Sequence, residues 1–236
     1  MIQIRFTQFV GTESDLLSEP SGIVQLSPPD GRFVIVNDTN AKKALFVAES
    51  GENGKLYSRK LNFPESPELD DLEGVALSGD WIYVISSHSA DDDDDDSTAR
   101  RIARFQISGD RVTRLQDAEG AEHLKKRVKQ ALQAKHPQLA DEDFADEEFN
   151  IEGFANQDDD FLIGLRSPVV DGKAMVVRTY GLERAYGAET GKYGVFANSV
   201  PMDLKNGGIR SLSYISDLGG YLVVSGKTVS GQEEFD

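Results

Sequence analysis

Two sets of polar residues recur at matching places beside apolar segments of the 236-residue chain. The first set opens four similar segments and consists of Ser21, Glu73, Glu152 and Arg210. The second set follows the next apolar run of each segment and consists of Asp38, Asn40, His88, Arg166 and Lys227. Carboxylate oxygens are the hard ligands that Ca²⁺ prefers, so Glu73 and Glu152, with Asp38 beside them, are predicted to hold this ion. The basic members of both sets are predicted to bind an anionic group such as a phosphate or a carboxylate. They are His88, Arg166, Arg210 and Lys227.

The same charges have a structural alternative. Buried charged groups need partners, and repeated positions are often architectural. In this alternative the two glutamates pair with Arg166 and Arg210 and join neighbouring repeats, and no ligand is needed. The residue types alone leave both interpretations open.

His88 is the candidate general base, because imidazole titrates near neutral pH. It lies in the run Ser86-Ser87-His88-Ser89, whereas His123 and His136 fall in a segment with a helical pattern. A metal-assisted hydrolysis of a phosphate or carboxylic ester would use His88 together with a metal-activated water. Sequence neighbours rarely form a nucleophile–base pair, so the adjacent serines do not strengthen this hypothesis.

The elements that must position these residues are β-strands in a repeated unit. Each first-set residue begins an apolar strand, a Gly- or Asp-rich turn follows, and a second apolar strand comes next. The units start near residues 21, 73, 152 and 210. Repeats of about 50 to 60 residues with up to four strands each are typical of a β-propeller, whose inner strands line a central channel. We therefore predict one all-β domain over residues 1–236, with the functional face around the axis.

The number of blades stays open. The last unit ends after two readable strands, and the N-terminal strand could complete that blade and close a small ring. Otherwise the domain is a partial propeller, and the chain is either a fragment or one piece of an oligomer. The long middle interval, between the starts near 73 and 152, is explained by a helical insertion at residues 117–136. Asp117 is its predicted N-cap, Leu124, Val128 and Leu132 lie on its apolar face, and His136-Pro137 ends it.

Composition excludes several classes of function. The chain has no cysteine, which excludes a disulfide scaffold and a thiolate metal site. The formal net charge of −16 without a basic stripe argues against nucleic acid and against an anionic membrane surface as partners. No apolar run approaches the length of a membrane span. The cytoplasm is the default location, and a secreted or periplasmic location is the alternative if a leader was removed.

Four segments form a recognisable set: Tyr83-Val-Ile-Ser-Ser-His-Ser89, Arg100 to Ile107, Asn150-Ile-Glu-Gly-Phe154 and Ile163-Gly-Leu-Arg-Ser-Pro-Val-Val-Asp-Gly-Lys-Ala174. Together they resemble the bacterial domain-of-unknown-function family 3616. The resemblance implies a β-propeller related to calcium-containing propellers with phytase-like or esterase-like labels, and it implies no established activity. It also implies a longer protein than this chain. Ser21 and Arg210 depart from the acidic residue of the two middle units, which weakens the case for a symmetric ring of acidic ligands.

Three functions follow as hypotheses. The first is a propeller that binds a small anionic molecule, with Ca²⁺, at the mouth of its channel. The second is a non-catalytic scaffold for a protein partner. The third is the metal-assisted ester hydrolase.

Overall fold

The protein is a partial β-propeller with one helix. The computed structural model describes residues 8–10, 17, 20–26, 31–38, 45–52, 55–63, 69–89, 100–118, 124–137, 149–157, 160–182, 186 and 195–227. The strands of blade 1 are β1 (Gln8–Val10), β2 (Pro20–Gln25), β3 (Arg32–Asn37), β4 (Leu45–Ser50) and β5 (Lys55–Lys60). Those of blade 2 are β6 (Leu72–Ser78), β7 (Trp81–Ser86), β8 (Ile102–Ser108) and β9 (Arg111–Asp117). Those of blade 3 are β10 (Asn150–Gln157), β11 (Asp160–Ser167), β12 (Ala174–Tyr180) and β13 (Val195–Met202). Blade 4 consists of β14 (Gly208–Ile215) and β15 (Gly220–Gly226).

Each blade runs outward from one inner strand. The strand orders are β2-β3-β4-β5, β6-β7-β8-β9, β10-β11-β12-β13 and β14-β15, and all of these neighbours pair antiparallel. Tight turns join the strands, and Gly79 and Gly109 adopt φ of 54° and 62° in two of them. The inner strand β6 packs beside both β2 and β10, and β14 packs beside both β10 and β2. The four inner strands therefore surround a common axis, which confirms the predicted propeller architecture.

The N-terminal strand does not close the ring. β1 pairs in parallel with β5, with Gln8 opposite Lys55, and so extends the outer edge of blade 1. The alternative in which this strand completes the last blade is therefore wrong. Its location follows from the free outer edge of β5, which offers backbone groups to a further strand.

The apolar core lies between successive blades. Blade 1 packs on blade 2 through residues such as Val36 and Phe105, and blade 2 packs on blade 3 through residues such as Tyr83 and Phe161. The rings of Tyr83 and Phe161 lie 4.7 Å apart. Both faces of the second strands β3, β7 and β11 are covered, in keeping with their almost continuously apolar runs, whereas Leu222 and Val224 of β15 are about half exposed.

The helix α1 (Leu124–Lys135) packs on the blade 2–blade 3 core through Leu124, Val128 and Leu132. It lies within the predicted insertion and ends before His136, but Asp117 is not its N-cap, because this residue is the last of β9. Among the described residues, no helix combines the length and the apolar character that a membrane crossing requires.

Candidate metal and ligand site at the propeller axis

Every inner strand carries a β-bulge at the same place. The pairing with the second strand shifts between Pro20 and Gly22, between Leu72 and Gly74, between Ile151 and Gly153, and between Ile209 and Ser211. The extra residues at these bulges are Ser21, Glu73, Glu152 and Arg210, which are the first set of the sequence analysis. A bulge leaves one residue out of the ladder and re-aims its side chain. The same backbone device therefore presents one polar side chain per blade.

In blades 1, 2 and 3 a glycine follows the bulge residue, because the inner strands approach closely. A Cβ atom on Gly74 would lie 2.4 Å from the Cβ of Phe154 in the next blade. A Cβ on Gly153 would lie 2.9 Å from Ile209 Cγ2 on the inner strand of blade 4. Real Cβ atoms do not tolerate such distances, so the repeated Glu-Gly pair reflects close packing around the axis.

The four bulge residues form one connected group. Ser21 donates a hydrogen bond to Glu73, and the charge of Glu152 acts on Glu73 from the neighbouring blade. Arg210 Nη1 contacts both carboxylate oxygens of Glu152, at 3.0 and 3.2 Å. Residues that are far apart in the chain are thus brought to one axis, as the repeat predicts.

In two blades, the predicted member of the second set lies one residue away from the position that is equivalent in the structure. In each blade, one residue of the second strand pairs with the last inner-strand residue before the bulge. These equivalent residues are Asn37, Ser86, Leu165 and Ser225. The residues that follow them are therefore the equivalent ones, namely Asp38, Ser87, Arg166 and Gly226. The predicted equivalence holds for Asp38 and Arg166, but His88 and Lys227 lie one residue further along. A shift of one residue along an extended segment turns the side chain to the opposite side of that segment. The sequence alone did not reveal this shift.

Three carboxylates from two blades come together beside the axis. One oxygen each of Asp38, Asp71 and Glu73 lies within 4.8 Å of the other two. Asp38 directly follows β3, Glu73 is the bulge residue of β6, and Asp71 precedes β6 with a φ of 52°. Oxygen ligands at this mutual spacing suit a divalent cation such as Ca²⁺.

Asp71 is the site residue that the sequence analysis missed. Its side chain accepts a short hydrogen bond from Ser87 Oγ, and its carbonyl accepts one of 3.0 Å from the Ser87 amide. Ser87 occupies the position that Asp38 and Arg166 occupy in their blades, so the repeat also places the partner that orients Asp71. One signal was present in the sequence, since Asp71 is an acidic residue only two positions before Glu73.

The pKa of Glu73 is raised to about 9, and burial is the largest cause. The charges of Glu152, Asp71 and Asp38 contribute to this rise in that order, and the hydrogen bond from Ser21 opposes it. Only 8% of Glu73 is exposed. At neutral pH and without a cation, the carboxyl group of Glu73 is therefore protonated, because an additional negative charge here is both desolvated and repelled.

Glu152, in contrast to Glu73, contacts positively charged side chains. Its Oε1 accepts hydrogen bonds from Arg166 Nη1 at 2.9 Å and from Arg210 Nη1 at 3.0 Å. Arg166 lies in the same blade and Arg210 in the next, so this group of ions joins blades 3 and 4. The structural alternative, in which glutamates pair with arginines and join neighbouring repeats, therefore holds for Glu152, Arg166 and Arg210. Of the two predicted metal ligands, Glu73 belongs to the carboxylate cluster and Glu152 faces arginines.

His88 occupies a fully buried position with a φ of 56°. Its pKa is lowered to about 3, first by burial and then by the nearby charges of Arg100 and Lys125, whereas the backbone of Arg101 opposes this shift. The ring lies near that backbone, but within the described part of the chain no hydrogen bond of normal geometry reaches either ring nitrogen. A role as general base stays a prediction, which these contacts do not support.

The two remaining predicted residues are Lys227 and Asn40. Lys227 follows β15 and is exposed. The neighbouring Gly226 packs against Arg210, since a Cβ there would lie 3.1 Å from Arg210 Cγ. Asn40 lies outside the described residues.

The comparisons with known proteins agree with the predicted resemblance. The family model described as "Protein of unknown function (DUF3616)" matches residues 143–230, a range that contains Glu152, Arg166 and Arg210. No curated protein matches the chain. Among solved structures, one described as "glucose dehydrogenase" shares 10% sequence identity, covers 90% of this chain and 94% of its own, and gives a TM-score of 0.38. This likeness is too low to support an argument about activity.

Proposed function

We propose that the protein is a binding propeller that holds a divalent cation, with Ca²⁺ as the first candidate, in the cluster of Asp38, Asp71 and Glu73. The observation that carries this proposal is the spacing of the three carboxylates, whose oxygens lie within 4.8 Å of one another. Glu152 adds a fourth negative charge close to Glu73. In the absence of a cation, a protonated Glu73 relieves the repulsion in this cluster, and a bound cation would relieve it by replacing that proton.

The cation fits the surroundings of the cluster as well. Asp71 is fixed by Ser87, so the site is partly organised before binding. A pre-organised ligand loses less conformational freedom when it binds a metal. The carboxylates come from two blades, so the bound ion would also stabilise the contact between blades 1 and 2.

A small anion is the proposed second ligand of the channel. Arg210 belongs to the same group of bulge residues, and 28% of its side chain stays exposed beside Glu152. An anion at this place would face a guanidinium group on one side and the cation site on the other. Guanidinium groups suit carboxylate and phosphate because their N–H donors match two oxygens.

Titration calorimetry tests both ligands. Ca²⁺ and Mg²⁺ are titrated into the wild type, into Asp71→Asn and into Glu49→Gln, an exposed control carboxylate on β4. We expect Ca²⁺ to bind the wild type and the control equally and Asp71→Asn at least roughly tenfold more weakly, since one charged ligand is lost. Absence of Ca²⁺ binding, or equal binding by Asp71→Asn, would overturn the proposed cation site.

Inorganic phosphate is then titrated with and without Ca²⁺. We expect the affinity for phosphate to rise when Ca²⁺ is present and to fall in Arg210→Met. Phosphate binding that neither Ca²⁺ nor Arg210→Met changes would overturn the anion site and leave the cation site standing.

A further inference from the structure

Two arginines lie on the face of blade 2 that points toward blade 3. In the strand register, Arg104 on β8 lies between Tyr83 on β7 and Gln116 on β9. Arg114 on β9 lies opposite Gln106 on β8. Because residues two apart along a strand share a face of the sheet, Arg114 belongs to the same face as Arg104 and the buried Tyr83. The two arginines are therefore neighbours on the outer strands of this blade.

One aromatic ring contacts both guanidinium groups. The Cζ atom of Arg104 lies 4.2 Å from the ring centre of Trp81, and that of Arg114 lies 4.9 Å from the same centre. Arg104 Cζ also lies 4.3 Å from the ring centre of Tyr186, which belongs to the segment between β12 and β13 of blade 3. Cation–π contacts of this kind position a guanidinium group and leave its charge in place.

Most N–H groups of these two arginines have no acceptor within the described residues. Arg104 donates from Nε to Gln116 at 2.9 Å and from Nη1 to the Tyr83 hydroxyl at 3.2 Å, which leaves its Nη2. Arg114 has one long contact of 3.5 Å, from Nη1 to Gln106. Neither arginine forms an ion pair with a described carboxylate, although the chain carries a net charge of −16.

Blade 3 has a carboxylate at the equivalent place. The equivalent ends of β7 and β11 align the two blades, so Arg178 on β12 corresponds to Arg104 and Asp160 corresponds to Trp81. Arg178 forms an ion pair with Asp160. The same arginine position therefore contacts an acidic side chain in blade 3 and an aromatic ring in blade 2.

Blade 1 also contains an arginine–carboxylate pair on this face. Glu49 on β4 and Arg59 on β5 lie 2.7 Å apart. In the aligned register they correspond to Gln106 and Gln116 of blade 2. Each of the other two four-stranded blades thus supplies its own carboxylate here, whereas blade 2 presents arginines beside neutral side chains.

We propose that Arg104 and Arg114 bind an oxyanion of a small molecule, either a carboxylate or a phosphate group. The oxyanion would take the place that Asp160 has beside Arg178 in blade 3. Both classes fit because a guanidinium group can offer parallel N–H donors to two oxygens. This site lies on the outer strands of blade 2 and does not depend on the cation site, which the inner strands form at the axis.

The fluorescence of Trp81 reports on this site directly, because it is the only tryptophan of the chain. Inorganic phosphate and citrate are titrated separately into the metal-free protein, and sodium chloride at matched ionic strength serves as the control. We expect a saturable change in Trp81 emission with at least one of the two anions. The anion that binds more tightly identifies the preferred class of ligand.

Substitutions assign the signal to its arginines. Arg114 is exposed, so Arg114→Met should leave the fold intact, and we expect it to weaken anion binding roughly tenfold or more, because charge-assisted hydrogen bonds are lost. Arg104→Lys keeps the charge but loses the paired donors, and it should also weaken binding. Arg59→Met, which changes an exposed arginine of blade 1, should leave the affinity unchanged.

The axis provides a further control, since Arg210 is proposed to bind an anion there. We expect Arg210→Met to leave the response of Trp81 unchanged. A response that Arg210→Met abolishes would place the bound anion at the axis and overturn the proposal. Equal affinities of wild type and Arg114→Met, or no change in emission beyond that caused by sodium chloride, would overturn it as well.

Discussion

Replacing Glu73 by Gln is expected to stabilise the metal-free protein at neutral pH. The pKa of Glu73 is about 9 in the folded state, against 4.5 for the unperturbed side chain. Folding therefore takes up a proton at any pH between these two values. A glutamine keeps the shape of the neutral carboxyl group and removes this requirement.

The magnitude follows from proton linkage. Because the folded pKa is raised, the stability that the protonated Glu73 contributes is fully present below pH 4.5 and is lost as the pH rises toward 9. At pH 7.5 the unfolded-state pKa lies three units lower, which corresponds to roughly 4 kcal/mol at about 1.36 kcal/mol per unit. This value depends little on the folded pKa as long as that pKa stays above 7.5.

Equilibrium urea unfolding at pH 4.5 and pH 7.5, with a chelator present, measures the effect. We expect Glu73→Gln to exceed the wild type in free energy of unfolding by roughly 4 kcal/mol at pH 7.5 and to be close to it at pH 4.5. Glu49→Gln, which removes an exposed carboxylate, serves as the control. Equal pH dependence of wild type and Glu73→Gln, or a less stable Glu73→Gln at pH 7.5, would refute the reasoning.

Three further predictions concern the packing and the charges at the axis. Gly74→Ala should lower the free energy of unfolding by about 1–3 kcal/mol, because the added methyl group meets Phe154; a neutral effect in urea unfolding would contradict the close approach of the strands. Glu152→Gln should cost about 3–5 kcal/mol because it leaves buried arginine charge uncompensated. The exposed Glu49→Gln should cost less than about 1 kcal/mol, and similar losses in both variants would argue against the buried ion group. Glu152→Gln should also lower the pKa of Glu73, so that the loss of stability with rising pH levels off at a lower pH than in the wild type, and an unchanged upper end would contradict the coupling.

The repeated strands could be predicted from sequence because local patterns specify them. Apolar runs, Gly-containing turns and the recurring Glu-Gly pair mark the inner strands, and a partial propeller follows from their repetition. The pairing of β1 with β5 could not be predicted in this way, because a free strand edge accepts any compatible strand. The start of α1 also differed, because Asp117 continues the ladder of β9.

The candidate site was predictable in position and less so in chemistry. Glu73 and Glu152 are equivalent in the repeat, yet one lies among carboxylates and the other between two arginines. Their partners come from neighbouring blades and from the residue after the second strand, so a single repeat does not specify them. His88 was assigned to the position that Ser87 occupies in the structure. This difference of one residue decides which side chain faces the axis, and a single repeat does not reveal it.

Proton release during Ca²⁺ binding tests the central claim most directly. Calorimetric titrations of Ca²⁺ into the metal-free protein at pH 7.5, in buffers of different ionisation enthalpy, give the number of protons released. If Asp38, Asp71 and Glu73 hold the ion, close to one proton should be released by the wild type and by Glu49→Gln, and none by Glu73→Gln. Ca²⁺ binding without proton release, or equal release from Glu73→Gln, would contradict the account.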